Sequence, residues 1–261
     1  MMDDAGLTEA ITSMRPWHHD IALNEQVSTG KVFSPDGSLE RHENDGVSLI
    51  SPRSRFMRQT GQLYPGGMSG KRFLDCACNA GAYCFFAREL DAAYALGFDV
   101  RSHWINQALF VQQRRTIHST DRIDFHEIDL MDLPDKKLEP FDFTYFKGIF
   151  YHLPDPVTGL KIATELTTDV ILVNTAGLRV EGEPRGMTLA LEGTEPPMSG
   201  VHRLSWMPNS PEVVVEILKW LGFEDFKLTH NVNTEDQRLR FEVIAGRTPG
   251  RLEHLDGECL A

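Results

Sequence analysis

Three aspartates mark the ends of three apolar runs. Asp75 closes KRFLD, Asp99 closes AAYALGFD, and Asp129 follows IDFHEI. Carboxylates in such places can do definite chemistry. One at the end of a second strand accepts hydrogen bonds from both hydroxyls of a ribose, and Asp99 lies roughly 24 residues past Asp75, the usual spacing for that role. Asp129, with Leu130 beside it, is a candidate acceptor for an adenine amino group, and Asp75 adds a negative field suited to a sulfonium. The turn after Asp75 runs through Cys76, Ala77 and Asn79 to Gly81, where a missing side chain would let the backbone approach a ligand's amino-acid tail. A fourth apolar run ends in Lys147 and Gly148, assigned to the same ligand. The set suits a sulfonium nucleoside. Ala77 and Asn79 stand where a dinucleotide-binding turn would use glycine, which argues against NAD and FAD.

A second group of residues suits proton transfer. His152 follows the fourth run in GIFYHLPDP, on the loop facing the sulfonium position, and an imidazole accepts a proton near neutral pH. It is the first candidate for a general base. Tyr151 is placed to stack on the ligand or orient an acceptor. His18 and His19 form a second candidate group in an irregular lead-in, with one ring of the pair expected to face the pocket. His202 is a third. Arg179, Arg185 and Arg203 punctuate a long loop over 179–210, read as an acceptor lid in which they would grip a carboxylate or phosphate. No CxxC pair and no H-x-x-x-H spacing supports a metal site. Cys76, Cys78 and Cys84 read as small buried hydrophobes.

These residues need elements to hold them. A short helix is expected before Pro16, an irregular stretch over 15–70 ending in a helix at 51–63, and from Lys71 a strand–helix alternation. The strands are KRFLDCAC, AAYALGFDV, IDFHEIDL, FDFTYFK and DVILVNTA; the helices fall at 82–90, 103–116 and 157–167. The fifth strand is almost continuously apolar, as an interior parallel strand should be. After the loop come a helix in PEVVVEILKWLGF, a strand near 224–231 and the strand RFEVIAGRT, the last two read as an antiparallel hairpin at the edge of the sheet. The fold class is α/β, a Rossmann-like, doubly wound, mostly parallel sheet. The organisation is a cap over 1–70, a main domain over 71–247 with the lid near 179–210, and a polar tail over 248–261. An exposed edge strand would invite pairing with a second copy.

Several segments resemble a known family. LDCACNAGAYCFFAREL resembles motif I of class I S-adenosylmethionine (SAM)-dependent methyltransferases, written hydrophobic-Asp-x-Gly-Cys-Asn-x-Gly, with Ala77 in place of a glycine. FDFTYFKGIFYHLPDP resembles the strand-four signature of the branch that includes the tRNA wobble-uridine carboxymethyltransferases. Trp17–His18–His19–Asp20–Ile21 with Thr29–Gly30, and SWMPNSPEVVVEILKWLGFEDF, resemble that branch's entry and late segments. The resemblance implies SAM as the cofactor and S-adenosylhomocysteine (SAH) as the product. It leaves the substrate open, since branch members act on RNA, sugars and natural products. The wobble-uridine enzymes use a carboxylated SAM held by basic and aromatic groups; those positions cannot be transferred residue by residue.

Charge weighs on the choice. The net charge of −12 and pI near 5.3 lack the basic footprint of a nucleic-acid binder. O-methylation of a small molecule, a sugar or secondary metabolite, is therefore the first expectation; tRNA wobble-uridine modification is the second, and a non-catalytic SAM-binding protein the third. The acidic N-terminus has no apolar core for a signal peptide, and no apolar run reaches the roughly 18–20 residues a membrane span needs. The expectation is a cytoplasmic protein without a membrane partner.

Overall fold

The computed structural model describes residues 3–34, 38–41, 44–183 and 185–260. The turn formers Pro35, Gly37 and Pro184, and His42 and Glu43, lie outside the described residues. Helix α1 (Asp4–Ser13) is capped by Asp3, whose side chain accepts from Gly6 N. Strands β1 (Lys31–Phe33) and β2 (Leu39–Arg41) form a hairpin, followed by α2 (Arg53–Leu63). The alternating part then runs β3 (Arg72–Cys76), α3 (Ala82–Glu89), β4 (Tyr94–Asp99), α4 (Ser102–Arg114), β5 (Ile123–Glu127), β6 (Phe141–Lys147), α5 (Pro156–Glu165) and β7 (Thr167–Leu178). It continues through β8 (Met187–Leu191), β9 (Leu204–Pro208), α6 (Pro211–Trp220), β10 (Asp225–Asn233), β11 (Arg238–Gly246) and β12 (Glu258–Cys259). Proline at the first turns of α5 and α6 fits positions whose N–H has no helical partner, and Asp155 caps α5 by accepting from Thr158 N.

The main sheet has eight strands in the order β12-β10-β11-β7-β6-β3-β4-β5. The five from β7 to β5 are parallel, while β11, β10 and β12 are antiparallel. Chain order reverses between β3 and β6, so the crevice beyond their carboxyl ends is where a ligand belongs. One face carries an aromatic cluster in which Phe56, Phe73, Tyr83 and Tyr145 meet at 4.9–5.8 Å between centroids. The opposite face is packed by α5 and α6 through Leu160, Val214 and Leu218.

The irregular stretch over 15–70 packs through Trp17, Ile21, Leu23 and Val27, which are buried, and Arg115 and Thr116 donate from the end of α4 to the carbonyls of Ala22 and Leu23. Three expectations change. The lid contains the β8–β9 hairpin rather than being a plain loop. The tail packs: Leu252 and Leu255 are buried, and β12 pairs with β10. The final antiparallel hairpin stands at one end of the sheet as expected, but β11 is its inner strand, between β7 and β10, and β10 pairs outward with β12 only at Lys227 and Leu228. The edge argument for self-pairing therefore does not apply to RFEVIAGR.

Gly81 has a structural duty. It caps α3 with φ +77°, and a Cβ there would lie 2.4 Å from the Phe125 ring and 3.2 Å from the Ala108 Cβ. Gly81→Ala is expected to cost about 2–4 kcal/mol through overpacking and left-handed strain. A thermal melt should show the loss, while ligand affinity at 25 °C changes little.

Candidate active site

The crevice at the reversal of strand order opens into a cleft of about 1010 Å³ of empty space, including its mouth. Asp75 lines it from β3 and Ala77 and Asn79 from the turn that follows; Asp99 from the end of β4; Asp129 and Leu130 from beyond β5; Lys147 and Gly148 from the end of β6. Tyr151 and His152 follow in a short 3₁₀ turn, Phe150–His152, and both His18 and His19 close the far wall. Both rings reach it because His18 Nδ1 is held 2.9 Å from Ser48 O while His19 bridges to Ile50, so the segment runs extended across the wall. This differs from the expectation that one of the two faces inward.

Two residues assigned to the ligand do not line the cleft. Cys76 follows Asp75 on a strand, so its side chain points to the opposite face and packs in the α5–α6 core. Gly81 is covered by Phe125 and Ala108. The lid arginines Arg179, Arg185 and Arg203 are exposed and also lie outside the lining, which instead takes Arg101 and Arg240.

The turn is built by left-handed backbone at Ala77 (φ +59°), Asn79 (φ +53°) and Gly81 (φ +77°). Its conformation is held by Asp99, whose Oδ2 accepts from Asn79 N and Oδ1 from Arg101 N, both at 3.0 Å. Burial pushes the Asp99 carboxyl up to about 6 despite those bonds. Asp75 is almost completely buried, and its Oδ2 has no hydrogen-bond partner. Burial, then the neighbouring Asp99, drives its carboxyl well above the usual range, with Lys147 pulling the other way. A buried, unpartnered carboxylate oxygen of this kind calls for a ligand donor or cation. Phe98, Trp104, Ile128 and Leu130 supply the apolar walls a purine needs.

The other end is cationic. Lys147 sits 5.3 Å from the Tyr83 ring centroid and 3.9 Å from Glu242 on β11. Burial depresses its ammonium pKa, and Glu242 opposes that. Arg240, two residues before Glu242, donates to the Tyr151 hydroxyl at 3.3 Å. Glu242 is fully buried and also accepts from Arg55, Gln59, Thr229 and Asn174. Burial lowers the His18 and His19 imidazoles, His19 far below its ordinary value.

The lid closes the remaining side. Residues 197–202 line the cleft, and Arg101 donates from its guanidinium to Thr194 O and Ser199 O. His202 Nε2 lies 2.9 Å from Asp129 Oδ2, while Asp129 Oδ1 accepts from Met131 N. His152 Nδ1 lies 2.8 and 2.9 Å from the two carboxylate oxygens of Glu192, which follows β8. Among the described residues no group of three or more His, Cys, Asp or Glu side chains is placed to hold a metal ion.

Residues 68–179 match the model of a methyltransferase domain family. That stretch, less than half of the chain, runs from just before β3 to one residue past β7. Among curated proteins it is similar to the tRNA U34 carboxymethyltransferase of Nautilia profundicola, 34% identical over 49% of this chain and 37% of the relative. The Cellvibrio japonicus protein of the same name is 23% identical, over 68% of this chain and 54% of the relative. The chain thus spans about a third to a half of the length of these two relatives. The Helicobacter pylori counterpart is 23% identical over 90% of this chain and 79% of its own length. Among solved structures, the N-terminal domain of EvdMO1 crystallised in the presence of SAH and D-fucose superposes with a TM-score of 0.72, 19% identity, and coverage of 94% and 97%. The magnesium protoporphyrin IX methyltransferase of Synechocystis PCC 6803 with bound SAM gives 0.52 at 12% identity, covering 75% of this chain and 79% of that one. These superpositions place the fold of the methyltransferase domain in the class I group.

Tyr83, Arg101, Glu192, Arg240 and Glu242 were not picked out from the sequence. A charged pair inside the apolar run RFEVIAG is a visible signal, since a glutamate in an interior strand needs buried partners. Glu192 carries no comparable sign.

Proposed function

We propose that this chain binds SAM in the cleft and methylates a hydroxyl group of a small acceptor held beneath the lid. The observation that carries this reading is one cleft lined together by carboxylates suited to a nucleoside, by His152 and by the lid. The cofactor supplies a methyl group activated by a sulfonium. Asp99 would hold the ribose hydroxyls, Asp129 and the apolar walls the adenine, and the turn around Ala77 and Asn79 the amino-acid tail. Asp75 would place its unpartnered oxygen toward the cofactor's positive charge. His152 takes the hydroxyl proton as the acceptor oxygen forms the new O–C bond; the C–S bond breaks with its electron pair left on sulfur. The lid excludes water that would compete for the base.

A second reading is transfer of a carboxymethyl group to a wobble uridine. The cations Lys147 and Arg240 at the acceptor end favour it, since they would neutralise a carboxylate on the cofactor. The name of the curated relatives points the same way. Calorimetry with SAM, SAH and carboxylated SAM separates the two. Micromolar SAM binding with weaker binding of the carboxylated form supports methyl transfer, and an acceptor panel of sugars, phenols and tRNA then follows by mass spectrometry. Tighter binding of the carboxylated form favours the second reading. No binding of either sinks both.

A further inference from the structure

Two features of the lid converge on His152. Glu192 reaches from the end of β8 to His152 Nδ1 with both carboxylate oxygens, at 2.8 and 2.9 Å. Gly200 sits against the same pair: a Cβ there would lie 2.5 Å from Glu192 Oε1, 2.9 Å from His152 Cβ and 3.0 Å from His152 O. Two of those neighbours belong to the backbone or its first side-chain atom and cannot swing aside. Residue 200 is thus the point where the lid seats on the 3₁₀ turn, and only a glycine leaves room for the carboxylate to meet the imidazole.

We propose that Glu192 is a positioning residue for His152, and that the base is complete only when the lid is seated at Gly200. This rests on the methyltransferase reading above and adds to it a residue and a gating step. A carboxylate at Nδ1 holds the proton there, so Nε2 carries the free lone pair that takes the acceptor's proton. The same lid segment is pinned to the cofactor end. Arg101 donates its guanidinium N–H to the carbonyls of Thr194 and Ser199 while its own backbone N–H is bonded to Asp99, and His202 meets Asp129. The carboxylates assigned to the ribose and adenine are therefore tied to the lid that carries Glu192. Proton transfer is confined to a cleft whose lid is seated.

The groups facing His152 come from three elements besides its own. Glu192 on the lid raises the imidazole pKa, Arg240 on β11 and Arg101 after β4 lower it, and burial, the largest influence, lowers it further, so it lies below its ordinary value. Tyr151 packs beside it at 3.9 Å between ring centroids.

The test reads the imidazole directly, in protein without cofactor. ¹⁵N-histidine spectra, with a His152→Asn variant to assign the resonance, report tautomer and titration. The wild type should show the Nδ1–H tautomer. Glu192→Gln should lose that preference and titrate at lower pH, because the carboxylate that favours the cation is gone. Gly200→Ala should give the same two changes without altering either member of the pair. A wild-type Nε2–H tautomer, or a titration unmoved in Glu192→Gln, overturns the pairing. A Gly200→Ala spectrum like wild type overturns the gating. SAM calorimetry on the same samples keeps the outcomes apart, since absence of SAM binding would remove the proposed function and leave the imidazole result standing.

Discussion

Asp99→Ala should weaken SAM binding about 100-fold, equivalent to about 2.7 kcal/mol. Under the proposed function the carboxylate holds two ribose hydroxyls through charge-assisted bonds; in the structure it fixes the turn through Asn79 N and Arg101 N. Asp99→Asn separates these duties, because it keeps an acceptor for one amide and loses the charge. A pH series adds a sharper test. The Asp99 carboxyl titrates at about 6. As pH falls through that value the acceptor becomes a neutral acid, so the dissociation constant should rise by up to about tenfold per pH unit. In Asp99→Asn this dependence should vanish. The stability of the free protein runs the opposite way. A carboxyl whose folded pKa is raised contributes stability that is fully present below its unfolded value of 3.8 and is lost as pH rises through about 6. Weaker binding and a higher melting temperature on acidification, from one residue, would be hard to obtain from a merely structural aspartate. A calorimetric titration of Asp99→Ala indistinguishable from wild type would remove Asp99 from the site.

Glu242→Ala should lower the melting temperature by roughly 6–12 °C. The carboxylate is fully buried and meets Arg55 at 2.7 Å and Lys147 at 3.9 Å, and removing it leaves both cations uncompensated. Breaking a buried pair from one side costs about 3–5 kcal/mol; the low end applies because Arg55 keeps a third of its side chain in water. At about 2–4 °C per kcal/mol for a chain of this size, about 3 kcal/mol gives the stated range. Burial raises the Glu242 pKa, but Lys147, Arg55 and the bonds from Gln59 and Thr229 outweigh it and hold the group below its ordinary value. That contribution is present above the unfolded pKa and lost as pH falls through the folded one, so the variant should lack part of the wild-type acid destabilisation. Lys147 would be affected too. Without Glu242 nothing as close opposes the burial that depresses its ammonium, and the cationic end of the cleft weakens. A melt within 2 °C of wild type (roughly 1 kcal/mol or less) would show that the cluster contributes little.

The alternating part of the fold was legible because its signals are local. Interior strands such as β7 are nearly continuous apolar runs, and Gly81, Asp155 and Pro211 punctuate the helices at their first turns. The carboxylates at Asp75, Asp99 and Asp129 could be found for the same reason, since each sits where a strand gives out. What escaped depends on contacts between distant segments. Lid strands β8 and β9 have mixed patterns, with Leu189 and Leu191 exposed, so no alternation marks them. The apolar anchors of the tail are two buried leucines, Leu252 and Leu255, in a polar setting. Arg240 lines the cleft and Glu242 meets Lys147 only because β11 inserts beside β7, and Glu192 meets His152 only because the lid folds back over it. The misassignments of Cys76 and Gly81 are one-residue matters of facing: the strand period turns Cys76 away from Asp75, and Phe125 covers the glycine.

The placement of β11 also limits how this unit can be divided or transplanted. The family match stops at residue 179, one position after β7 ends. Cutting there would strip β7 of a partner paired from Val170 to Leu178 and leave a long apolar edge in water. It would discard Glu242, and with it the counter-charge of Lys147. At the other end it would remove Trp17 and Ile21, whose burial closes the wall formed by His18 and His19. The modular boundary of this protein is therefore set by sheet completion rather than by the extent of its recognisable motifs. A graft or minimal fragment should carry everything from α1 to β12.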